Sequence, residues 1–221
     1  MEESAAIIRI EPAPGMLVRF VSDLHYGHER CEAPDPTQLA PLLEGVGMLV
    51  VVGDMAETRV CAWQERGKAA RETLRALCRE KGVQLVEISG NHDPDVPALM
   101  AEFWGGKVVA MHGHALYKEV APWSWEYLRH KKACKALIES HPQSDTDLVD
   151  RLELSREMCQ LNPPILRREG VKNPLLRSFL HCFWPPERPL RIVWSWLTSA
   201  KRAARFARTF FSGAETLILG H

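Results

Sequence analysis

The sequence lacks the features that mark several large classes of protein. It has no uncharged apolar run of the roughly 18 residues that a transmembrane helix needs, and its first 15 residues show no basic stretch leading into an apolar run, so no secretory signal is indicated. It also lacks internal repeats and low-complexity segments. Its six cysteines are scattered without a Cys-x-x-Cys pair, which argues against a disulfide framework or a zinc finger. We therefore expect a globular, cytoplasmic protein with reduced thiols.

The chain also lacks net charge, because 28 Lys and Arg residues balance 28 Asp and Glu residues. This balance hides an uneven distribution. Residues 118–212 carry 17 basic and 10 acidic side chains, a net charge of +7, which leaves −7 for the remainder. The sequence therefore predicts an acidic body with a basic insertion.

Short apolar runs rich in β-branched residues recur in the acidic part and read as buried strands. They occupy residues 17–22, 48–53, 84–89, 107–111 and 215–220. An amphipathic helix is predicted over residues 61–81, a shorter one over 37–43, and another short one after Pro94. This alternation predicts an α/β sandwich of mixed β-sheets flanked by helices.

After Tyr117 the sequence pattern changes, because β-branched runs disappear and prolines separate stretches with a helical pattern. Helices are predicted over residues 123–140, 145–161 and 190–211, with Asp145 and Asp147 at the positive end of the second. We expect residues 1–117 to form a core, 118–212 a helical cap, and 213–221 the return of the core, with its last strands truncated.

Each predicted strand is followed by side chains of the types that bind metal ions in proteins. The motifs are Asp23-Leu24-His25, Gly53-Asp54, Gly90-Asn91-His92-Asp93, His112-Gly113-His114 and Gly220-His221. Because the carboxyl ends of strands in an open α/β sheet converge on one crevice, we expect these side chains to meet.

Oxygen and imidazole ligands without thiolate suit Mn²⁺, with Fe or Zn²⁺ as alternatives. The number of ligands is sufficient for two divalent ions, which could hold a bridging hydroxide and clamp the oxygens of an in-line phosphoryl displacement. A carboxylate bridges two cations best, and we assign that role to Asp54.

This ordered set resembles the calcineurin-like metallophosphoesterase family, whose pattern is Asp-x-His, Gly-Asp, Gly-Asn-His-Asp/Glu, His and Gly-His-x-His. The resemblance covers residues 17–117 and 215–221. It implies a metal-dependent hydrolase of phosphate esters or phosphoanhydrides, with His92 donating a proton to the leaving oxygen. It also implies one metal bound by Asp23, His25 and Asp54, and a second bound by Asp54, Asn91, His112 and His221.

The sequence departs from the family pattern at its end, because it stops at His221 and the family motif continues for two residues. Either the sequence is a fragment, or one metal site lacks a ligand and we expect weaker metal binding and slower turnover. His28 and His114 stand beside the motifs and could contact a substrate phosphate or be solvated loop residues. Asp93 is expected to support the ligands or cap a helix, and Glu57 to be solvated.

The basic stretch 165–212 interleaves 10 basic and 2 acidic residues with Trp and Phe. It could pack on the body, contact anionic lipid at a membrane surface, or bind nucleic acid, which we favour less. The cap is placed like the insertion of the enzymes that cleave the pyrophosphate of UDP-2,3-diacylglucosamine, which suggests a lipid-linked nucleotide substrate. Three alternatives remain for the protein: an enzyme that acts on a phosphorylated small molecule, a nuclease, and a non-catalytic binding module.

Overall fold

The computed structural model describes residues 6–161 and 187–220. These residues form two compact units. The first, here called the α/β unit, comprises residues 6–114 and 213–220, and the second, the helical unit, comprises 115–161 and 187–212. Among the described residues, no helix combines the length and apolarity that crossing a bilayer requires.

The α/β unit contains two sheets, built from strands β1 Ile7–Ile10, β2 Val18–Val21, β3 Met48–Val52, β4 Gln84–Ile88, β5 Met100–Phe103, β6 Val108–His112 and β7 Thr216–Gly220. One sheet has the order β2-β3-β4 and is parallel throughout. The other has the order β1-β5-β6-β7, in which only β5 and β6 are antiparallel. The predicted α/β class is therefore confirmed.

All five predicted strands are present within a residue or two, whereas β1 and β5 were not predicted. The predicted short helix after Pro94 is wrong, because the described residues 94–99 form turns that lead into β5. Pro94 and Pro97 fall inside this stretch, and proline interrupts helices by removing a backbone donor.

Strand β3 lies at the centre of the core, and every one of its residues is buried. Val50 packs with Phe103 between the two sheets, while Val51 faces Leu74 in a cluster on the other side. A strand buried on both faces must be apolar throughout, which explains the run Met-Leu-Val-Val-Val. The polar loop after this strand is thereby tied to a rigid element.

Two helices lie before and after β3 along the chain. A 3-10 helix covers Pro36–Leu43, and α1 covers Cys61–Glu80 with a buried stripe at Gly67, Arg71, Leu74 and Cys78. This spacing keeps the stripe on one side of the helix. Both predicted helices are therefore confirmed.

The helical unit contains α2 Trp125–Arg129, α3 Lys131–Ser140, α4 Leu148–Gln160 and α5 Glu187–Phe210, and a 3-10 helix Gly113–Leu116 precedes it. The first predicted helix is divided at His130, where ψ is 23°. Asp147 caps α4 by accepting a hydrogen bond from the amide of Asp150 at 2.8 Å. Asp145 instead pairs with Lys118.

Candidate metal centre

Four strand ends of the α/β unit carry predicted ligands. Strand β2 is followed by Asp23 and His25, β3 by Asp54 and β4 by Asn91, while β6 ends on His112. Because β2, β3 and β4 are parallel, the loops after them emerge at the same edge of their sheet. The structure brings these five side chains together, with neighbouring nitrogen and oxygen atoms 3.2–3.9 Å apart.

The loops after β2 and β3 run side by side through backbone hydrogen bonds. The amide of Asp23 donates to the carbonyl of Gly53 at 3.2 Å, and the amide of His25 donates to the carbonyl of Asp54 at 2.9 Å. Asp23, His25 and Asp54 have φ values of 56°, 49° and 53°. Such left-handed conformations cost non-glycine residues roughly 1–3 kcal/mol each. The hydrogen bonds between the loops hold the ligands in these unfavourable conformations.

Two glycines leave the space that the ligands occupy. A β-carbon at Gly90 would overlap the backbone nitrogen and a side-chain oxygen of Asp54. At Gly53, where φ is +80°, a β-carbon would overlap the imidazole of His112. The glycines of the Gly-Asp and Gly-Asn-His motifs therefore have a steric function at this site.

Asp23, His25 and Asp54 form the first group of ligand atoms. Nε2 of His25 lies 3.7 Å from Oδ1 of Asp23 and 3.9 Å from Oδ2 of Asp54. Ligands bound to one ion at roughly 2.0–2.2 Å can lie up to about 4 Å apart, so one cation fits this group. Without a cation, hydrogen bonds to Asp23 and Glu57 raise the pKa of His25 to about 10. A proton then supplies the positive charge that the carboxylates require.

Asp54, Asn91 and His112 form the second group. Nδ1 of His112 lies 3.0 Å from the carbonyl oxygen of Val52, to which it donates. The other ring nitrogen, Nε2, faces Oδ1 of Asn91 at 3.2 Å and Oδ2 of Asp54 at 3.4 Å. In a neutral imidazole that nitrogen is an acceptor like both oxygens, so the three atoms repel one another unless a proton or a cation lies among them.

Asp54 belongs to both groups. It is only 1% exposed, and its Oδ1 accepts a hydrogen bond from the amide of His92 at 2.8 Å. Burial acts to raise the pKa of Asp54, but His112 and His92 together hold it below its usual range. A buried carboxylate that stays ionised between two groups of ligand atoms fits the predicted bridging position.

Glu57 is part of the site, and the prediction that it is solvated is wrong. Its side chain is 1% exposed, with Oε1 3.0 Å from Nδ1 of His25 and Oε2 2.9 Å from Nδ1 of His92. Burial acts to raise the pKa of Glu57, but hydrogen bonds to the two histidines lower it to about 2. Glu57, His25 and His92 have potential ligand atoms within 4.8 Å of one another. We interpret Glu57 as orienting the two rings, because each of its oxygens already faces a ring nitrogen.

His92 lies next to the ligands with part of its ring open to solvent. Its side chain is 38% exposed, and its ring centroid lies 4.9 Å from that of His25. Burial lowers the pKa of His92, but the hydrogen bond to Glu57 and the charge of Asp54 raise it above its usual value. Since Nδ1 faces Glu57, Nε2 is the nitrogen that can exchange a proton with a substrate.

Asp93 binds the backbone of the loops that carry the candidate ligands. Its Oδ1 accepts hydrogen bonds from the amides of Gly90 and Asp54, and its Oδ2 accepts one from the amide of Met55 at 2.8 Å. Burial raises the pKa of Asp93 to about 6, and the charge of Asp54 acts in the same direction. Asp93 therefore connects the loops after β3 and β4, and it caps no helix.

The remaining predicted histidines differ from one another. His28 accepts a hydrogen bond from the amide of Arg30 at 2.9 Å and packs on Trp63, with its ring 6.5 Å from that of His25. His114 is 3% exposed and its ring lies 5.2 Å from that of His112, so the solvated alternative is wrong for His114. His221 lies outside the described residues.

Comparisons with known proteins identify no family for this chain. No protein-family model matches the chain, and no curated protein matches its sequence. The functional interpretation therefore depends on the ordered motifs and on the geometry of the site.

Proposed function

We propose that the chain is a metal-dependent hydrolase of phosphate esters or phosphoanhydrides with a calcineurin-like metallophosphoesterase sandwich. The observation that supports this most strongly is the buried carboxylate of Asp54 between two groups of ligand atoms. His25 Nε2 lies 3.9 Å and His112 Nε2 lies 3.4 Å from the same Oδ2. Two such groups with a shared carboxylate suit a pair of Mn²⁺ ions, or Fe or Zn²⁺.

Bound divalent cations would supply Lewis acidity to the substrate phosphate and would lower the pKa of a water molecule. Asp23, His25 and Asp54 would hold one cation, and Asp54, Asn91 and His112 the other. No thiol lies in either group, which agrees with a preference for Mn²⁺ over softer ions.

His92 performs the proton transfer in this proposal. Glu57 keeps Nδ1 of His92 protonated and oriented, so that an imidazolium carries its second proton on the other ring nitrogen, Nε2. A leaving alkoxide or phosphate oxygen would take that proton as its bond to phosphorus breaks. Glu57 touches no substrate and acts through His92.

The direct test is the variant Asp54→Asn assayed on an aryl phosphate ester with added Mn²⁺. We expect turnover to fall by on the order of 100-fold or more, because the variant loses the shared charge of both groups. Metal content should fall in parallel when it is measured by atomic absorption.

Asp35→Asn is the matched control, since Asp35 caps the 3-10 helix Pro36–Leu43 and lies outside the site. It should leave turnover and metal content unchanged. Turnover by Asp54→Asn within threefold of the parent chain would contradict the proposal.

An exposed apolar surface favours a lipid-linked nucleotide pyrophosphatase as the more specific version. On α5, Leu190, Trp196 and Leu197 are 73%, 80% and 74% exposed, and Val193 and Trp194 are 55% exposed. The same helix carries six basic residues and one acidic residue. Trp and Leu flanked by Arg and Lys are typical of helices that lie on anionic membranes. Residues 165–186 of the predicted basic stretch lie outside the described residues.

Sedimentation with vesicles tests this version. We expect the chain to bind phosphatidylglycerol vesicles more strongly than phosphatidylcholine vesicles, and the double variant Trp196→Ser, Leu197→Ser to lose roughly tenfold or more in affinity. Trp104→Ser, at an exposed tryptophan of the α/β unit, is the control and should bind like the parent chain. Equal binding by the double variant would refute the lipid contact, and salt-dependent binding of DNA or RNA instead would favour a nuclease.

A further inference from the structure

The helical unit contains an open cavity of about 670 Å³. Its walls come from the segment 116–119, from α4 with the turn before it, and from the second half of α5. Small-molecule sites commonly have volumes of roughly 300–1,000 Å³. All of the lining residues belong to the helical unit, so the cavity is a feature of that unit alone.

Positive charge dominates the lining of this cavity. Five basic side chains line it, against the two carboxylates of Glu119 and Asp145; the basic residues are Lys118, Arg151, Lys201, Arg202 and Arg205. Asp145 is engaged by Lys118, whose Nζ lies 2.6 Å from its Oδ2. Among the lining residues that the structure describes, five basic side chains therefore exceed two carboxylates, a net charge of +3.

Arg151 lines the cavity and is only 7% exposed. Its Nε and Nη2 donate to the carbonyl oxygens of Ala115 and Leu116 at 2.8 and 3.1 Å, while Nη1 lies 3.9 Å from Oδ1 of Asp145. Burial lowers the pKa of Arg151, and the charge of Arg202 acts in the same direction. The carboxylates of Asp145 and Glu119 act in the opposite direction. Arg151 therefore adds positive charge to the wall of the cavity, while its Nε and Nη2 donors are used by backbone carbonyls.

Arg202 is fixed by aromatic rings. Its guanidinium lies 4.8 Å from the ring of Tyr117 and 4.3 Å from the ring of Trp194, and its Nε donates to Oγ1 of Thr198 at 3.2 Å. This arrangement orients a planar donor group without using a carboxylate. Lys201 and Arg205 line the cavity from the same helix and are exposed.

We propose that this cavity is a binding site for an organic phosphate, separate from the metal centre. Arg202, with Lys201 and Arg205, binds the phosphate group, because paired donors of a guanidinium match two phosphate oxygens. Phe206, Phe210 and Leu116 line the same cavity and bind the apolar part of the ligand. A free inorganic phosphate would leave most of the volume unfilled.

Phenylphosphonate is a suitable probe, because it has a phosphate-like group on an aromatic ring and no ester bond to hydrolyse. Its binding to the full chain is measured by calorimetry after metal removal and dialysis of the chelator. We expect saturable binding that weakens as ionic strength rises, and no saturable binding of the neutral analogue benzamide. Asp54→Asn should bind the probe as the parent chain does.

The double variant Lys201→Ala, Arg205→Ala should weaken binding by roughly tenfold or more, because it removes two charge-assisted contacts from exposed positions. Arg208→Ala is the matched control, since Arg208 is an exposed arginine of the same helix outside the lining, and it should stay within twofold. Circular dichroism verifies that each variant is folded.

Three results would overturn the assignment. They are a folded chain that does not bind the probe, equal losses in Arg208→Ala and the double variant, and binding that needs added Mn²⁺ and disappears in Asp54→Asn. The last result would place the anion at the metal centre. The proposal does not depend on hydrolytic activity, so an inactive chain that binds the probe would separate the two assignments.

Discussion

At the residue scale, the candidate metal centre is a concentration of acceptor atoms with too few donors. Nε2 of His25 faces two carboxylates, and Nε2 of His112 faces a carboxylate and an amide oxygen. In the absence of cations, protons on the two imidazoles relieve this imbalance, which is why the pKa values of both rings are raised. Metal ions bound as proposed would therefore compete with protons for the same positions.

Such competition would make metal affinity depend on pH. His25 in the metal-free chain has a pKa raised to about 10, so its ring is protonated below that pH and a binding cation must displace the proton. Affinity for Mn²⁺ should therefore increase as pH rises from neutral toward 10, by about tenfold per pH unit for each proton displaced.

Titration calorimetry in buffers of different ionisation enthalpy measures the protons released. His25→Ala should release fewer protons than the parent chain and show a shallower dependence. An affinity that does not change over this pH range would show that no proton occupies the site.

Glu57 offers a second test at the residue scale, because it contacts His25 and His92 and its effect on the pKa of His92 can be measured without a substrate. Glu57→Gln removes the negative charge that raises the pKa of His92, so this pKa should fall. Turnover of an aryl phosphate should fall by roughly 10–100-fold, as is typical when a supporting hydrogen bond is lost.

Proton NMR of the histidine rings measures the shift directly, which a purely structural role for Glu57 would not produce. Glu65→Gln is the control, since Glu65 is exposed on α1, where it pairs with Lys68 and has no contact with His92 in the described part of the chain. If the His92 titration were unchanged in Glu57→Gln, Glu57 would have no positioning role.

At the element scale, the site depends on how closely the loops after β3 and β4 approach each other. The carboxylate of Asp93 accepts hydrogen bonds from backbone amides of both loops. Gly90 lies so close to Asp54 that there is no room for a side chain. Thr58 extends the same connection by donating from its hydroxyl to the carbonyl of His92 at 2.9 Å. Strand β3, buried on both faces, provides the rigid base.

Gly90→Ala tests this close approach. The added methyl group would collide with the backbone of Asp54, where nothing flexible can yield, so we expect a loss of about 1–3 kcal/mol in the free energy of unfolding. Weaker Mn²⁺ binding should accompany it. Gly213→Ala is the control, because a β-carbon there would have no atom of the described, non-neighbouring residues within 4 Å. Equal denaturation midpoints for the two variants in urea would contradict the steric argument.

At the scale of the whole molecule, the two units concentrate different kinds of charged group. The α/β unit concentrates carboxylates and imidazoles that attract cations, while the helical unit concentrates guanidinium groups that attract anions. The zero net charge of the chain conceals this division. The candidate metal centre gathers acceptor atoms that a cation would satisfy, and the cavity of the helical unit gathers basic side chains that an anion would satisfy.

Local pattern determined much of this protein. Short β-branched runs bounded by glycine, such as Met48–Val52, favour buried strands, and the polar residues that follow such runs then fall at strand ends. The types of candidate ligand, their order and their expected meeting point were therefore readable from the sequence. The pattern was weak for β5, where Met100–Phe103 contains a glutamate and follows a proline-rich turn.

Only the tertiary structure decided the burial of Glu57 and the cavity of the helical unit. Glu57 is an ordinary loop glutamate until two histidines from separate loops contact its oxygens. Arg151 and Arg202 are far apart in sequence, and their shared cavity appears only when α4 and α5 are placed together. Local sequence fixes which atoms a strand or loop can offer, whereas their pKa values and partners depend on long-range distances that no short pattern encodes.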